Sequence, residues 1–384
     1  MGQLRDKIIV VINKPFVRNI ALIASGGVIA QVLNFAISPI LSRLFAPEAF
    51  GLLGLFVAIV GLLSSCSTFR YEYPIVIARQ KYAGAALVHL CLLISVMMAI
   101  ISQFIVVIWG ENICAVFNVP QLTPYFYLIP ASMLFSGIFL TISQWACRRK
   151  EFKILAKNPI TRTGTNLTIN LGAGLLSLGH GWLILGFVMG QFAAAIGVAS
   201  RVVKQDWETL RPRANVWHRM LFVSKRYRHF PLYSAPQAIL NVASQQMPNF
   251  LLGLFFGPTT LGLYWLTVRV LQAPIILIGQ SVRQVFYQRV CERLNQRRSI
   301  FPLMIKTTIG LFGFGAVCFL PMILFGPAIF SFVFGESWRG AGEFGRWISL
   351  WTWSMLSNVP AICSIQAIGL QRELFIYELD FRGC

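Results

Sequence analysis

The side chains able to do chemistry in this sequence are few, mostly uncharged, and set inside long apolar runs. Arg269 lies at the centre of LGLYWLTVRVLQAPIIL. A guanidinium in hydrocarbon is costly, so it has to face a polar interior or a partner. Its planar fork matches the paired oxygens of a pyrophosphate or an acidic sugar; the alternative is a structural arginine bonded to helix-end carbonyls. Around it stand amides at helical spacing: Gln31, Asn34 and Ser38 in one run, Asn166 and Asn170 with Thr163 in another, then Asn241 with Gln245, and Gln280 with Gln284. Such groups suit sugar hydroxyls, and equally suit helix-to-helix bonds worth about 0.6 kcal/mol each. Arg43 reads as an arginine snorkelling to the interface. Arg70 and Glu72 read either as basic anchoring of a helix exit or as a gate pair. His89 has no partner at ligand spacing and reads as a bonded structural histidine. None of these constellations makes a nucleophile with its base, and no enzyme is expected.

The elements that must position these residues are membrane helices. The chain of 384 residues is 56% hydrophobic and 12% charged, with a mean hydropathy of +0.67, whereas an average soluble domain is about a quarter charged. Apolar windows long enough to cross a ~30 Å hydrocarbon core recur throughout. Ten spans are expected, at about 20–45, 50–68, 84–109, 124–146, 159–178, 182–203, 232–256, 261–282, 301–330 and 345–368. Pro321 and Pro327 predict a kink in the ninth. The fold class is therefore an all-α polytopic membrane protein.

Charge sets the orientation. With this layout 28 lysines and arginines fall on the side of the N-terminus, against only Arg43, Arg339 and Arg346 on the other. By the positive-inside rule the N-terminus is cytoplasmic. The net charge of +20 thus reports topology, and nucleic acid is not expected as a partner. The basic segment 204–231, with Trp207, Trp217 and Tyr227, is expected to lie on an anionic leaflet. Eight cysteines without a C-x-x-C pair and four scattered histidines predict neither a disulfide framework nor a metal site, and no cofactor is expected.

The chain also repeats itself. LFAPEAFGLL, from Leu44, returns as FFGPTTLGLY, from Phe255, an offset of 211. Ser132-Met133, Gln144 and Lys150-Glu151 return as Ser354-Met355, Gln366 and Arg372-Glu373, an offset of 222. Each corner places proline at a helix start and glycine one turn on, where it permits close helix contact. A duplicated six-span unit accounts for both matches, and an even number of spans makes the copies parallel. The expected lobes are 1–203 and 232–384, joined by the linker 204–231. By the same spacing the second copy would end near residue 425, so it is expected to be incomplete by about 40 residues, a truncated product with about ten full spans.

At these residues the chain resembles the Wzx-type polysaccharide and O-antigen flippases of the MATE-like superfamily. The resemblance rests on Gly26-Gly27, on Ser42-Arg43-Leu44 before the Pro47-Glu48 corner, on Arg70-Tyr71-Glu72, and on the CRRKEF and QRELF helix exits. It implies two pseudo-repeated six-helix lobes around a central cavity. It also implies alternating-access export of undecaprenyl-pyrophosphate-linked oligosaccharide across the bacterial inner membrane. Membrane lipids, a polysaccharide polymerase and chain-length machinery are the implied partners. The competing readings are a cation-coupled multidrug antiporter of the same superfamily, which needs a buried carboxylate, and a non-functional truncated remnant.

Overall fold

The computed structural model describes residues 15–211, 215–275, 279–296 and 298–368. The readings placed on QRELF and on the second-copy Arg372-Glu373 lie outside them. Among the described residues every regular element is helical. The long helices are α1 (Pro15–Leu44), α2 (Pro47–Ser64), α3 (Lys81–Val116), α4 (Ile129–Arg148), α5 (Phe152–Leu175) and α6 (Gly181–Leu210). They are followed by α7 (Val216–Arg226), α8 (Ala235–Pro274), α9 (Gln280–Asn295), α10 (Phe301–Phe334) and α11 (Arg339–Ile368).

The ten expected spans fall on nine of these helices, because α8 runs through the seventh and eighth. It does so across a break at Gly257, whose φ of 80° and ψ of 176° belong to a region that residues with a Cβ avoid. α10 is bent at Phe325, which has φ −120° and ψ 18°. The bend falls between Pro321 and Pro327, as proline removal of the helical hydrogen bond requires. Length and hydropathy alone mark seven stretches as membrane spans, with Phe230–Ala273 counted once. α5 and α11 are equally long but carry Arg162 with three asparagines and Arg339, Glu343 and Arg346, which lower their hydropathy. α5 also starts seven residues before the expected boundary, with Pro159 inside the helix.

By packing, the described chain divides between Gly262 and Leu263 into two compact units. In the first, α5 lies against both α1 and α6, α6 against α4, and α4 against α3 and α2. One end of this unit is rich in arginine and is sealed by a core of Tyr71, Ile75, Leu87, Cys91, Ile142, Trp145, Val198, Val202, Met220 and Val223. In the second, α10 and α11 pack along their lengths and α9 lies on α11. Its core is Leu271, Phe286, Val290, Leu311, Phe319, Leu356, Val359 and Cys363.

The two copies of the repeated corner meet. A Cβ added to Gly51 would sit 1.8 Å from the Pro258 carbonyl oxygen, and one added to Gly262 would sit 1.9 Å from that of Pro47. The contact is reciprocal: the same position in each copy approaches the same atom of the other. Apolar side chains gain little by leaving lipid for a helix surface, so small residues that admit backbone contact hold such crossings. This is the structural reason for the duplicated Pro-then-Gly corner.

Candidate functional site

The first unit builds a polar seam between α1, α5 and α6. α5 and α6 are brought together by Gly186 and Gly190, a small-xxx-small pair. A Cβ at Gly190 would lie 2.8 Å from the Arg162 carbonyl oxygen, and one at Gly186 would lie 2.0 Å from Asn170 Oδ1. Asn158 Nδ2 donates to the Ala194 carbonyl at 2.8 Å, and Asn170 Nδ2 donates to Asn166 Oδ1 at 3.3 Å. On the other flank Asn34 Nδ2 donates to Thr163 Oγ1 at 3.3 Å, joining α1 to α5. Ser38 Oγ donates to the Asn34 carbonyl at 2.7 Å, and Gln31 is half-buried one turn before Asn34. Ser136 of α4 donates to Gln191 Oε1 of α6 at 3.0 Å.

Arg162 stands in this seam. It is ten residues from the start of α5 and thirteen from its end, about 15 and 20 Å respectively. Its guanidinium lies over the Phe187 ring at 5.6 Å, and Phe187 meets Phe56 of α2 edge-on at 6.2 Å. Arg162 is one of the 28 basic residues that the charge count placed on the side of the N-terminus, because Pro159 read as the helix start. The signal that finds it is the continuation of the helix back to Phe152. Arg162 is exposed, whereas Arg269 in the second unit is half-buried within α8, over the Trp265 ring at 5.1 Å. Nearby, Thr267 Oγ1 donates to the Ala341 carbonyl at 2.9 Å, tying α8 to α11.

The other expected site residues lie elsewhere. Asn241 and Gln245 are exposed on α8 and bonded to each other at 2.6 Å. Arg43 is exposed in the last turn of α1, at the opposite end of the unit from Arg70. The side chains of Gln280 and Gln284 lie outside the described residues. Arg70 and Glu72 do pair, at 3.6 Å, with Glu72 only 2% exposed. Thr68 Oγ1 donates to the same carboxylate at 2.5 Å, and Arg70 donates to the Tyr73 hydroxyl at 3.0 Å. Phe69 and Arg70 take left-handed φ values of 47° and 63°. The turn after α2 is thus held by side chains against backbone cost.

That arginine-rich end contains a second buried carboxylate, which the sequence did not single out. Asp206 accepts the Trp145 indole N–H at 3.0 Å and pairs with Arg149 at 2.9 Å. It sits where α6 leaves helical geometry, at φ −118° and ψ 22°. Arg148 donates to the carbonyls of Ile75 at 2.6 Å and Ala78 at 2.5 Å, and to Gln80 at 3.3 Å. His89 Nε2 donates to the Leu210 carbonyl at 2.8 Å, a structural role. These groups bind helix ends to one another.

The fold has solved relatives. A structure described as the inward-facing conformation of a multidrug resistance MATE family transporter of the MOP superfamily superposes with a TM-score of 0.65. It is 13% identical, over 88% of this chain and 81% of that one. A MATE in the bent conformation gives a TM-score of 0.52 at 14% identity, covering 93% and 83%. A MATE in complex with MaL6 gives 0.51 at 13% identity, covering 93% and 84%. Identities this low speak for the fold alone. No curated protein sequence matches the chain. Residues 40–343 match the family model described as polysaccharide biosynthesis protein, so this multi-pass membrane protein with a MATE-type fold belongs to that polysaccharide biosynthesis family.

Proposed function

We propose that the protein exports undecaprenyl-pyrophosphate-linked oligosaccharide across the bacterial cytoplasmic membrane by alternating access, with its N-terminus cytoplasmic, for O-antigen or exopolysaccharide assembly. One observation carries the reading: in each unit an arginine sits within a long membrane helix on an aromatic ring, Arg162 on Phe187 and Arg269 on Trp265. The planar fork of a guanidinium held in this way engages two phosphate oxygens at once. Amides then address the glycan: Gln31, Asn34, Asn166 and Asn170 in the first unit, and Asn241 and Gln245 on α8. Arg43 at the opposite end and the Arg70–Glu72 turn serve the entrance and exit. The working lobes are 1–203 and 232–384, with 204–231 as the linker between them.

An antiporter exchanging cations needs a carboxylate at mid-depth. Among the described residues the buried carboxylates are Glu72 and Asp206, both at the arginine-rich end and both committed to structural partners. This disfavours cationic drugs as cargo. The test is proteoliposome export of a pyrophosphate-linked glycan, read as its accessibility to an impermeant glycan oxidase. Arg269→Gln and Arg162→Gln should each slow transport about 10- to 100-fold, matching a lost charge-assisted bond of about 1.5–3 kcal/mol. Lysine at either position should retain part of the rate. Full-rate export by the double glutamine variant would overturn the assignment.

A further inference from the structure

Where α3, α6 and α7 converge, a small, partly open cavity of about 20 Å³ lies among Tyr82, His89, Thr209, Arg211, Val216 and Arg219. The two arginines give it positive charge, and no carboxylate is among its lining residues within the described chain. The Arg219 guanidinium lies 5.5 Å from the centre of the Tyr82 ring, which orients it at the rim. His89 is pinned to the Leu210 carbonyl at 2.8 Å, which fixes the end of α6 from which Arg211 projects. α7 begins at this cavity. Its leading residue Asn215 takes a left-handed φ of 67° and makes no side-chain cap bond, and Val216 in the first turn of this 11-residue helix lines the same space.

The depth of the cavity follows from α3. Its 36 residues extend about 54 Å, well beyond a ~30 Å hydrocarbon core. With the excess shared between its ends, about 12 Å each, the first turns with Tyr82 lie at headgroup level and His89 at the hydrocarbon boundary. α7 is anchored there by Met220 and Val223, buried in the core, and by the Tyr71 hydroxyl, which donates to the Ser224 carbonyl at 3.1 Å. Its outward side chains Trp217, Leu221 and Phe222 are 66%, 58% and 62% exposed, beside Lys225 and Arg226 of its last turn. Large apolar groups next to a cationic pocket match the boundary between acyl chains and lipid phosphates.

We propose that this cavity binds the phosphate of an anionic phospholipid headgroup, with Arg211, Arg219 and the first-turn N–H groups of α7 as its ligands. Trp217, Leu221 and Phe222 enter the acyl boundary alongside. The exposed apolar residues favour lipid over a soluble phosphate compound. The site is independent of the transported cargo and is read by binding.

The experiment titrates the purified full chain in neutral detergent with phosphatidylglycerol and follows its melting temperature. A basic residue at a membrane surface contributes about 1 kcal/mol, roughly fivefold in affinity. Phosphatidylglycerol should therefore raise the melting temperature, and Arg211→Gln/Arg219→Gln should need roughly 30-fold more lipid for the same rise. Arg219→Lys should stay near wild type, and phosphatidylcholine should do nothing. If the double variant fails to fold, Arg211→Gln alone, at an exposed position, should show the fivefold shift. Equal stabilisation by phosphatidylcholine, an unshifted Arg211→Gln, or the same effect from millimolar inorganic phosphate would overturn the proposal; the last would assign a soluble anion.

Discussion

Replacing the glycines of the repeated corner should separate two helices by a calculable distance. The Cβ of Gly262→Ala falls 1.9 Å from the Pro47 carbonyl oxygen, and that of Gly51→Ala 1.8 Å from the Pro258 carbonyl oxygen. Ordinary carbon–oxygen contact begins near ~3.3 Å, so either alanine drives the backbones apart by about 1.4 Å. Both obstructing atoms are main chain, so no rotamer change relieves the clash. Overpacking of this kind costs about 1–3 kcal/mol. One displacement relieves both clashes, however. The double variant should cost about as much as the worse single, leaving a coupling term of about 1–3 kcal/mol in a double-mutant cycle. The assay is denaturant unfolding of the four proteins in micelles. Additive penalties, or a Gly262→Ala protein as stable as the parent, would refute the reciprocal contact.

Other consequences follow from the arginine-rich end and the loops. Asp206→Ala leaves the buried Trp145 N–H unpaired and should cost about 1–3 kcal/mol, whereas Asp206→Asn keeps that acceptor. The Arg149 partner is half-exposed and adds little, so equal damage from both substitutions in thermal melts would refute this. Arg148→Met should destabilise strongly, because the fork serves three carbonyls, and Arg148→Lys should recover only part of that in the same melts. Cys91, Cys114 and Cys363 are buried and should resist maleimide in the native state, as mass spectrometry of labelled peptides can establish. The Glu336 carboxyl, in the turn before α11, is held below the usual carboxylate range by the Ser331 hydroxyl and by Arg339. Its bonds should be complete above the ordinary glutamate pKa of about 4.3 and lost as pH falls through the lowered value. A carbon-13 carboxyl titration with Glu336→Gln as assignment control measures it, and a titration at or above the ordinary value would count against the bonding.

Much of the architecture was readable without coordinates. Apolar windows mark helices because lipid leaves no other way to satisfy the backbone. The Pro321–Pro327 kink and the Pro47 helix start follow from proline's missing N–H. The Arg70–Glu72 pair lies within reach of local spacing. Arg162 was grouped with loop residues for an equally local reason: a proline and a lysine before it imitate a helix boundary, and only the helix running back to Phe152 places it inside an element. Asp206 was invisible because its importance lies in Trp145 and Arg149, 61 and 57 residues away.

By itself the sequence determined composition, the helical class and where the apolar spans fall, since these depend on residues near one another along the chain. Tertiary structure alone decided which glycines touch which carbonyls, that Arg162 rests on Phe187, and that Arg211 and Arg219 line one cavity with Tyr82. The reason is physical. Transfer into lipid is set residue by residue, whereas a contact between helices depends on rotation and crossing distance, and those emerge only when whole helices pack.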